Sequence, residues 1–348
     1  MKIINRFIFI LNSILVVYTL FAYLSPFIDP ADTVFFGVMG LGFPYLILTN
    51  IICIIYWLVL RSKKTWLSAI CLIIGLPFIS NLFAINVFLE KDPVGKFITV
   101  ATYNMQFAKP ILYADKETEK RAGKKYEKFL KTIDDIDVLC MQEFNSKTAT
   151  HLNNATTFNY RHLIKDKTVA IFSKYPIVDS GILDFGSKVN ICLWADIKKE
   201  DKTVRVYTAH LQSNQDKSEP PIILDMKAKE SLNTSGILGL LKYYNKYASI
   251  RAAQSKEIRI HQDNSPFPSV ICGDFNDPPQ SYNYRIISKG LQDSFREKGL
   301  GLGTSFGGKI PALRIDYVLV DPKLEVLSHD VIKNEFSDHY IIKSQIGI

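Results

Sequence analysis

Apolar positions are spread unevenly along the chain. Three long runs, Ile3 to Leu24, Val34 to Leu60 and Trp66 to Leu89, are nearly free of charge, and each exceeds the roughly 20 residues a helix needs to cross a hydrocarbon core. Lys2 and Arg6 lie at the start of the first run, as in a secretory signal. Two further runs follow at once and no small-residue cleavage site is evident, so three membrane-spanning helices are expected within residues 1–92. The linker SPFIDPADT holds two Asp and no Lys or Arg, whereas RSKKT carries Arg61, Lys63 and Lys64. Positive loops stay in the cytoplasm. An odd number of spans then places residues 96–348 on the extracytoplasmic side of an integral membrane protein.

From Lys96 onward the pattern shortens. FITVATYNM, DVLCMQEF, TVAIFSKYPIV, ICLWADIKK and KTVRVYTAHLQ read as strands, being rich in β-branched and aromatic residues. Ala114 to Ile136 reads as a helix, with Tyr126, Phe129, Leu130 and Ile133 on one face. A second helix is expected from about Tyr243 to His261, followed by the strands SVICGDFN, RIDYVLV, LEVLSHDVI and HYIIKSQI. A doubly wound parallel sheet needs a helix between most strand pairs, and here several strands join through short turns. The expected fold is therefore α/β, with two packed sheets and helices on the outer faces. Ser213 to Asn245 is the one long irregular stretch, with Pro220–Pro221 and the apolar patch Ile237 to Leu241. Loops of that length are usually functional or mobile.

Charge and cysteines change this picture little. The formal net charge of +8 divides into five Lys/Arg against two Asp/Glu in residues 1–89, and 37 against 32 in the remainder. That excess suits a phosphate-bearing partner but is too diffuse for a nucleic-acid stripe. Cys53, Cys71, Cys140, Cys192 and Cys272 lie in apolar runs without metal-type spacing and read as small buried hydrophobes.

Candidate chemistry sits at the strand ends. SVICGDFNDPP breaks from apolar to Asp274, Asn276 and Asp277 at Gly273. TYNMQ ends in Asn104, CMQEF in Glu143 and YTAHLQ in His210, while RIDY carries Asp316 and SDHY carries Asp338 and His339. Each has an ordinary alternative. Asn104 suits a turn, Glu143 can pair with Lys147, a lone histidine in an apolar strand is commonly a satisfied core residue, and Asp and Asn favour turns. Six polar strand termini together argue for a common cleft.

The set and its order resemble the endonuclease/exonuclease/phosphatase superfamily over residues 97–348. The likeness rests on YNMQ, QE, AHLQ, GDFND, RIDY and SDH, in that order. It implies a four-layer sandwich of two mixed β-sheets flanked by helices, here preceded by a transmembrane segment foreign to the family's catalytic domain. It also implies hydrolysis of phosphate esters with Mg²⁺, or Mn²⁺ as substitute, held by Glu143 with Asn104 and Asp338 beside it. One departure is Gln106, where some members place an acid two residues after the strand-end asparagine.

Phosphoryl transfer needs an in-line nucleophile, charge neutralisation and help for the leaving oxygen. His339 is the candidate for activating water or binding the phosphate, with Asp316 fixing its ring. Asp274 and Asn276 are placed to hold the nucleophilic water and a phosphoryl oxygen, and His210 to donate to the phosphate or leaving oxygen. The substrate is a nucleic acid or a phospholipid headgroup. For nucleic acid, KYYNKYASIR (Lys242 to Arg251) offers basic and aromatic residues, although tyrosines on a helix more often belong to the core. For lipid, the spans and Ile237 to Leu241 offer contact with a bilayer. The rival class, a membrane-tethered binding module with an inactive site, is opposed by the presence of every expected residue.

Overall fold

Neighbouring residues of the central strands face different cores, which is why these strands read as unbroken apolar runs. Val100 and Val138 belong to one apolar layer, and the adjacent Ala101 and Leu139 belong to another. The structure, a computed structural model, describes residues 2–86, 95–108, 116–214, 234–308 and 311–348.

In chain order the elements are α1 (Lys2–Leu24), α2 (Val34–Met39), α3 (Phe43–Val59), α4 (Thr65–Ile74), α5 (Leu76–Leu82), β1 (Ala84–Ile85), β2 (Phe97–Asn104), α6 (Lys116–Lys131), β3 (Val138–Gln142), α7 (Ser146–Ala155), β4 (Tyr160–Leu163) and β5 (Ala170–Ser173). They continue with β6 (Ile177–Leu183), β7 (Cys192–Lys199), β8 (Lys202–His210), α8 (Thr234–Asp263), β9 (Ser269–Asp274), α9 (Tyr282–Ser288), β10 (Gln292–Asp293), α10 (Ser294–Lys298) and β11 (Leu300–Gly301). The last are β12 (Asp316–Val320), β13 (Glu325–Val326), β14 (Asp330–Ile332) and β15 (Ile341–Gly347). Two compact units interleave along the sequence. The smaller comprises Met1–Phe83, Ser213–Ala253 and Asp277–Ile286, and the larger comprises Ala84–Gln212, Gln254–Asn276 and Ile287–Ile348.

The larger unit holds two mixed sheets. One runs β10-β12-β9-β8-β7-β6; the other runs β13-β15-β2-β3-β5-β4, with β14 pairing β15. The pairs β8–β9 and β2–β3 are parallel, and the other pairs in these sheets are antiparallel. Ile98, Val100 and Cys140 from one sheet meet Val206, Val270, Cys272 and Val318 from the other in the central layer. On the outer face of the second sheet, Tyr126 and Leu130 of α6, Ile133 just after it and Leu152 of α7 pack on Tyr103, Met141 and Phe172. On the outer face of the first, the last turns of α8 bring His261 Nδ1 to 2.9 Å from the Tyr207 hydroxyl. The layers are thus helix, sheet, sheet, helix, as expected.

Three local expectations need correcting. TVAIFSKYPIV is not one strand: β5 and β6 lie in different sheets, and Pro176, which has no N–H for a ladder, stands between them. The irregular stretch is helical from Thr234, so the Ile237 to Leu241 patch lies within α8. Residues 215–233, with Pro220–Pro221, lie outside the described residues. The second apolar run is also divided, into α2 and α3. Gly40 and Gly42 separate them, and Pro44 occupies the first turn of α3.

In the smaller unit, Lys2–Phe27, 26 residues, is long and apolar enough to cross a membrane. Phe43–Val59 is shorter, and the third run bends by 70° between α4 and α5, where Gly75 meets the helix-start proline Pro77. Residues 87–89 of that run lie outside the described residues. Polar side chains tie these helices together: Asn12 donates to Ser68 Oγ at 3.1 Å and Asn50 to Thr19 Oγ1 at 2.9 Å. Such bonds between apolar helices satisfy groups that lipid cannot.

Candidate active site

Strand register assembles the polar termini. His210 and Asp274 are partners across the parallel pair β8–β9, and Asp274 faces Asp316 across β9–β12. Asn104 and Gln142 are likewise partners across β2–β3, so Glu143 emerges one residue beyond the level of Asn104. The ladder continues past the strand end, where the Phe107 amide donates to the Glu143 carbonyl at 2.9 Å. Asp338 and His339 arrive on the loop entering β15, beside β2.

Gly273 explains why the strand before Asp274 carries a glycine. Its φ is +139°, and a Cβ there would lie 1.9 Å from the Ala209 carbonyl oxygen. No other residue permits β8 and β9 to run this close. The backbone is also left-handed at Gln106 (φ +48°), Phe107 (+57°), Glu143 (+49°) and Asn276 (+53°). Each such non-glycine residue costs about 1–2 kcal/mol, and strain of this kind concentrates at functional sites.

The Asp274 carboxylate is the common neighbour. Its Oδ1 accepts from the Asn276 amide at 2.8 Å and its Oδ2 from Asn104 Nδ2 at 2.9 Å. His210 Nε2 and His339 Nε2 lie 3.7 and 3.8 Å from the same Oδ2. His339 Nδ1 is 2.9 Å from Asp316 Oδ2, and its Nε2 is 3.9 Å from Asp338 Oδ1. All of Asn104, His210, Asp274, Asp316 and His339 are buried. Burial alone would lower the His339 pKa, but the Asp316 and Asp274 carboxylates, with Asp338 further off, hold it well above the ordinary histidine value. Burial pushes the Asp316 carboxyl up, and the adjacent imidazole opposes that rise.

The remaining acids are arranged differently. Asp338 Oδ2 accepts from Gln106 Nε2 at 2.9 Å, while its Oδ1 is buried without a hydrogen-bond partner among the described residues. No described residue hydrogen-bonds the half-buried Glu143 carboxylate, and the Lys147 side chain lies outside the described set. An orphaned carboxylate oxygen at Asp338 and a carboxylate without a described hydrogen-bond partner at Glu143 are both of the kind that suits a hard cation preferring oxygen. Donor atoms of Asp274, Asp316 and His339 also lie within 4.8 Å of one another. Asp316 and His339 pair with each other, and Asp274 accepts from Asn104 and from the Asn276 amide.

Sequence reasoning passed over three supporting residues. Gln142, fully buried, donates from Nε2 to Thr102 Oγ1 at 3.0 Å and to Thr208 Oγ1 at 2.8 Å, joining the two sheets behind the site. Ser337 Oγ donates to the Asn104 carbonyl at 2.7 Å and accepts from the His339 amide at 3.0 Å. Ser305 Oγ accepts from the Asp316 amide at 3.0 Å. Gln106 carries the only signal that sequence offered, as the departure from an acid. The candidate nucleic-acid cluster fails on burial, because Tyr243, Tyr244 and Tyr247 are core residues.

Comparison with known proteins agrees with this architecture. No curated protein matches the chain. Among solved structures, D. rerio TDP2 complexed with a single-strand DNA product is 14% identical with a TM-score of 0.51, over 73% of this chain and 100% of that one. Truncated Caenorhabditis elegans TDP2 is also 14% identical with a TM-score of 0.51, over 72% and 98%. A mannosyl-6-phosphatase from Bacteroides thetaiotaomicron is 18% identical with a TM-score of 0.48, over 72% and 100%. Residues 5–82 match a family described as a domain of unknown function. Residues 101–339 match the Endonuclease/Exonuclease/phosphatase family. The chain belongs to the endonuclease/exonuclease/phosphatase family, hydrolases that act on phosphate esters.

Proposed function

We propose that the protein is a membrane-anchored, Mg²⁺-dependent phosphodiesterase whose catalytic residues are His210, Asp274, Asn276, Asp316 and His339. The observation that carries this reading is the position of Asp274 Oδ2, shared by Asn104 at 2.9 Å and by His210 and His339 at 3.7 and 3.8 Å. In this reading Asp274 orients the attacking water and takes up its proton. The Asn276 amide fixes one oxygen of Asp274 so that the other faces the water. Asp316 holds the His339 ring with Nε2 turned toward the phosphoryl oxygens. His210 donates toward the leaving oxygen. Glu143, Asn104 and Asp338 are the residues that would hold the metal, which supplies charge neutralisation at the phosphoryl group and leaving oxygen when bound.

For the substrate we favour a phospholipid headgroup. The apolar N-terminal segment supports it, and the burial of Tyr243, Tyr244 and Tyr247 removes the stacking platform that single strands require. A nucleic-acid substrate is the second reading, favoured by the DNA complex of the structurally similar TDP2. In the same proposal the three apolar runs span the membrane, with RSKKT inside and the catalytic unit outside. Hydrolysis of bis-p-nitrophenyl phosphate with Mg²⁺, abolished by chelator, tests the reaction class. Sphingomyelin, plasmid DNA and inositol phosphates, assayed side by side, divide the substrates. Preferential cleavage of DNA would overturn the headgroup assignment. A periplasm-active reporter fused after Ile348 should be active, and silence there would overturn the topology.

A further inference from the structure

The chain leaves the catalytic strands in two places, and both exits lead into the smaller unit. After His210 ends β8, residues from Ser213 onward belong to that unit; after Asp274 and Asn276, so does everything from Asp277 to Ile286. The two exits are fastened to each other there. Arg251, with no solvent exposure, donates from Nη1 to Asn214 Oδ1 and from Nη2 to Asp277 Oδ1, both at 2.8 Å. Tyr244 donates its hydroxyl to Asp277 Oδ1 at 2.9 Å, and Asn283 donates to Asp277 Oδ2.

These groups are in turn fixed to the apolar N-terminal segment. Gln280 donates to the Ala22 carbonyl in α1 at 3.1 Å. The Gln280 carbonyl lies so near Gly40 that a Cβ there would approach its oxygen to 2.3 Å. Asn245 donates to the Pro30 carbonyl at 2.7 Å, and the Arg285 guanidinium stands 4.4 Å from the Phe27 ring centroid. Ala22, Phe27, Pro30 and Gly40 all lie around the end of the first apolar run and the start of the second. Positive-inside reasoning assigns that end to the same side of the membrane as residues 96–348.

We infer that the N-terminal helical segment is a working support of the catalytic site rather than a tether, fixing through Gln280, Asn245 and Arg251 the chain just beyond both His210 and Asn276. This deepens the phosphodiesterase reading and rests on it for the identity of the site. Gln280 and Asn245 are positioning residues: Gln280 acts through the backbone that continues Asn276, and Asn245 through α8, whose Arg251 holds Asp277. Misplacement of a reacting group by about 1 Å can cost about 10²-fold in rate, so a loosened segment should register in turnover.

The test uses the full chain in detergent micelles. Gln280→Ala and Asn245→Ala are compared with wild type and with Ile52→Ala, a change on α3 at a residue 56% exposed. Backbone hydrogen exchange is followed over residues 277–286, and kcat and KM are measured on bis-p-nitrophenyl phosphate with Mg²⁺. We expect exchange there to quicken on the order of tenfold and kcat to fall with little change in KM, while Ile52→Ala alters neither. Gln280→Met, which keeps the side-chain bulk, serves where Gln280→Ala does not accumulate. Unchanged exchange in both Gln280 and Asn245 variants would overturn the inference, as would faster exchange with wild-type kcat. Should wild type not hydrolyse the ester, the phosphodiesterase reading fails by itself, and the exchange measurement still decides whether the segment is held.

Discussion

The two halves of the site are built on opposite terms. Around Asp274 the carboxylates are committed: Asn104, the Asn276 amide and the His339–Asp316 pair are hydrogen-bonded, and His210 Nδ1 is the buried atom left without a partner among the described residues. Around Asp338, one carboxylate oxygen is buried with no partner among the described residues. Mutual hydrogen bonds restrain such a set, because each member is committed to its neighbours. An open set of oxygens is costly to leave dry and marks where something charged must arrive. The proposed division of the site into proton-handling and cation-binding residues rests on this difference.

The sharpest way to break that division is to remove the shared carboxylate. Asp274→Asn keeps the shape and should lower kcat by about 10²- to 10⁴-fold, with the thermal midpoint close to that of wild type. His339→Ala should act on the same scale. Near-normal turnover in either variant would refute the closed half as the catalytic one. Gly273→Ala attacks the same half through the backbone. With φ at +139° and a Cβ 1.9 Å from the Ala209 oxygen, we expect a loss above about 3 kcal/mol of stability, read by denaturant unfolding.

Much of this was legible in the sequence because the chemistry sits at strand ends, where apolar runs stop abruptly. GDFN, AHLQ and RIDY mark three adjacent strands, and their register follows once the sheet is formed. What escaped has a physical reason in each case. Gln142 reads as one more polar terminus, but it joins two sheets whose packing the sequence does not display. Pro176 falls inside an apolar run, so the switch of sheets between β5 and β6 is hidden in a pattern that looks continuous. The helix α8 begins far ahead of its amphipathic part because Ile237 to Leu241 carries no polar face to reveal a period. Asp277 stands with Asp274 and Asn276 in the sequence, yet its bonds go to Arg251, Tyr244 and Asn283.

A histidine outside the site, His329, calibrates the electrostatics. His329 Nδ1 lies 2.9 Å from Ser294 Oγ, and its Nε2 has no partner among the described residues. Burial drives its pKa down to about 4, with Asp293 opposing and Arg314 reinforcing the shift. The same burial acts on His339, where carboxylates reverse the outcome. A depressed folded value means the unfolded chain takes the proton first. Stability contributed by neutral His329 is therefore complete above the unfolded value near 6.5 and is lost as pH falls from there toward 4. The loss should reach about 3 kcal/mol. His329→Gln should flatten the pH dependence of unfolding in that window, and an unchanged slope would assign it to other groups.

The smallest expected effect tests the open half directly. Asp338→Asn keeps the acceptor toward Gln106 replaceable by an amide but removes the charge on the orphaned oxygen. If that oxygen faces a cation, Mg²⁺ affinity measured by calorimetry should fall about 10- to 100-fold. Asp316→Asn removes a more deeply buried charge, one already committed to His339 Nδ1 at 2.9 Å. It should weaken Mg²⁺ binding far less while lowering kcat more. Both variants lose one negative charge, so long-range attraction for the cation changes alike, and only the local bond distinguishes them. Equal losses of affinity would mean that the cation senses the summed field of the cleft, and the division between the two halves would then describe hydrogen bonding without describing function.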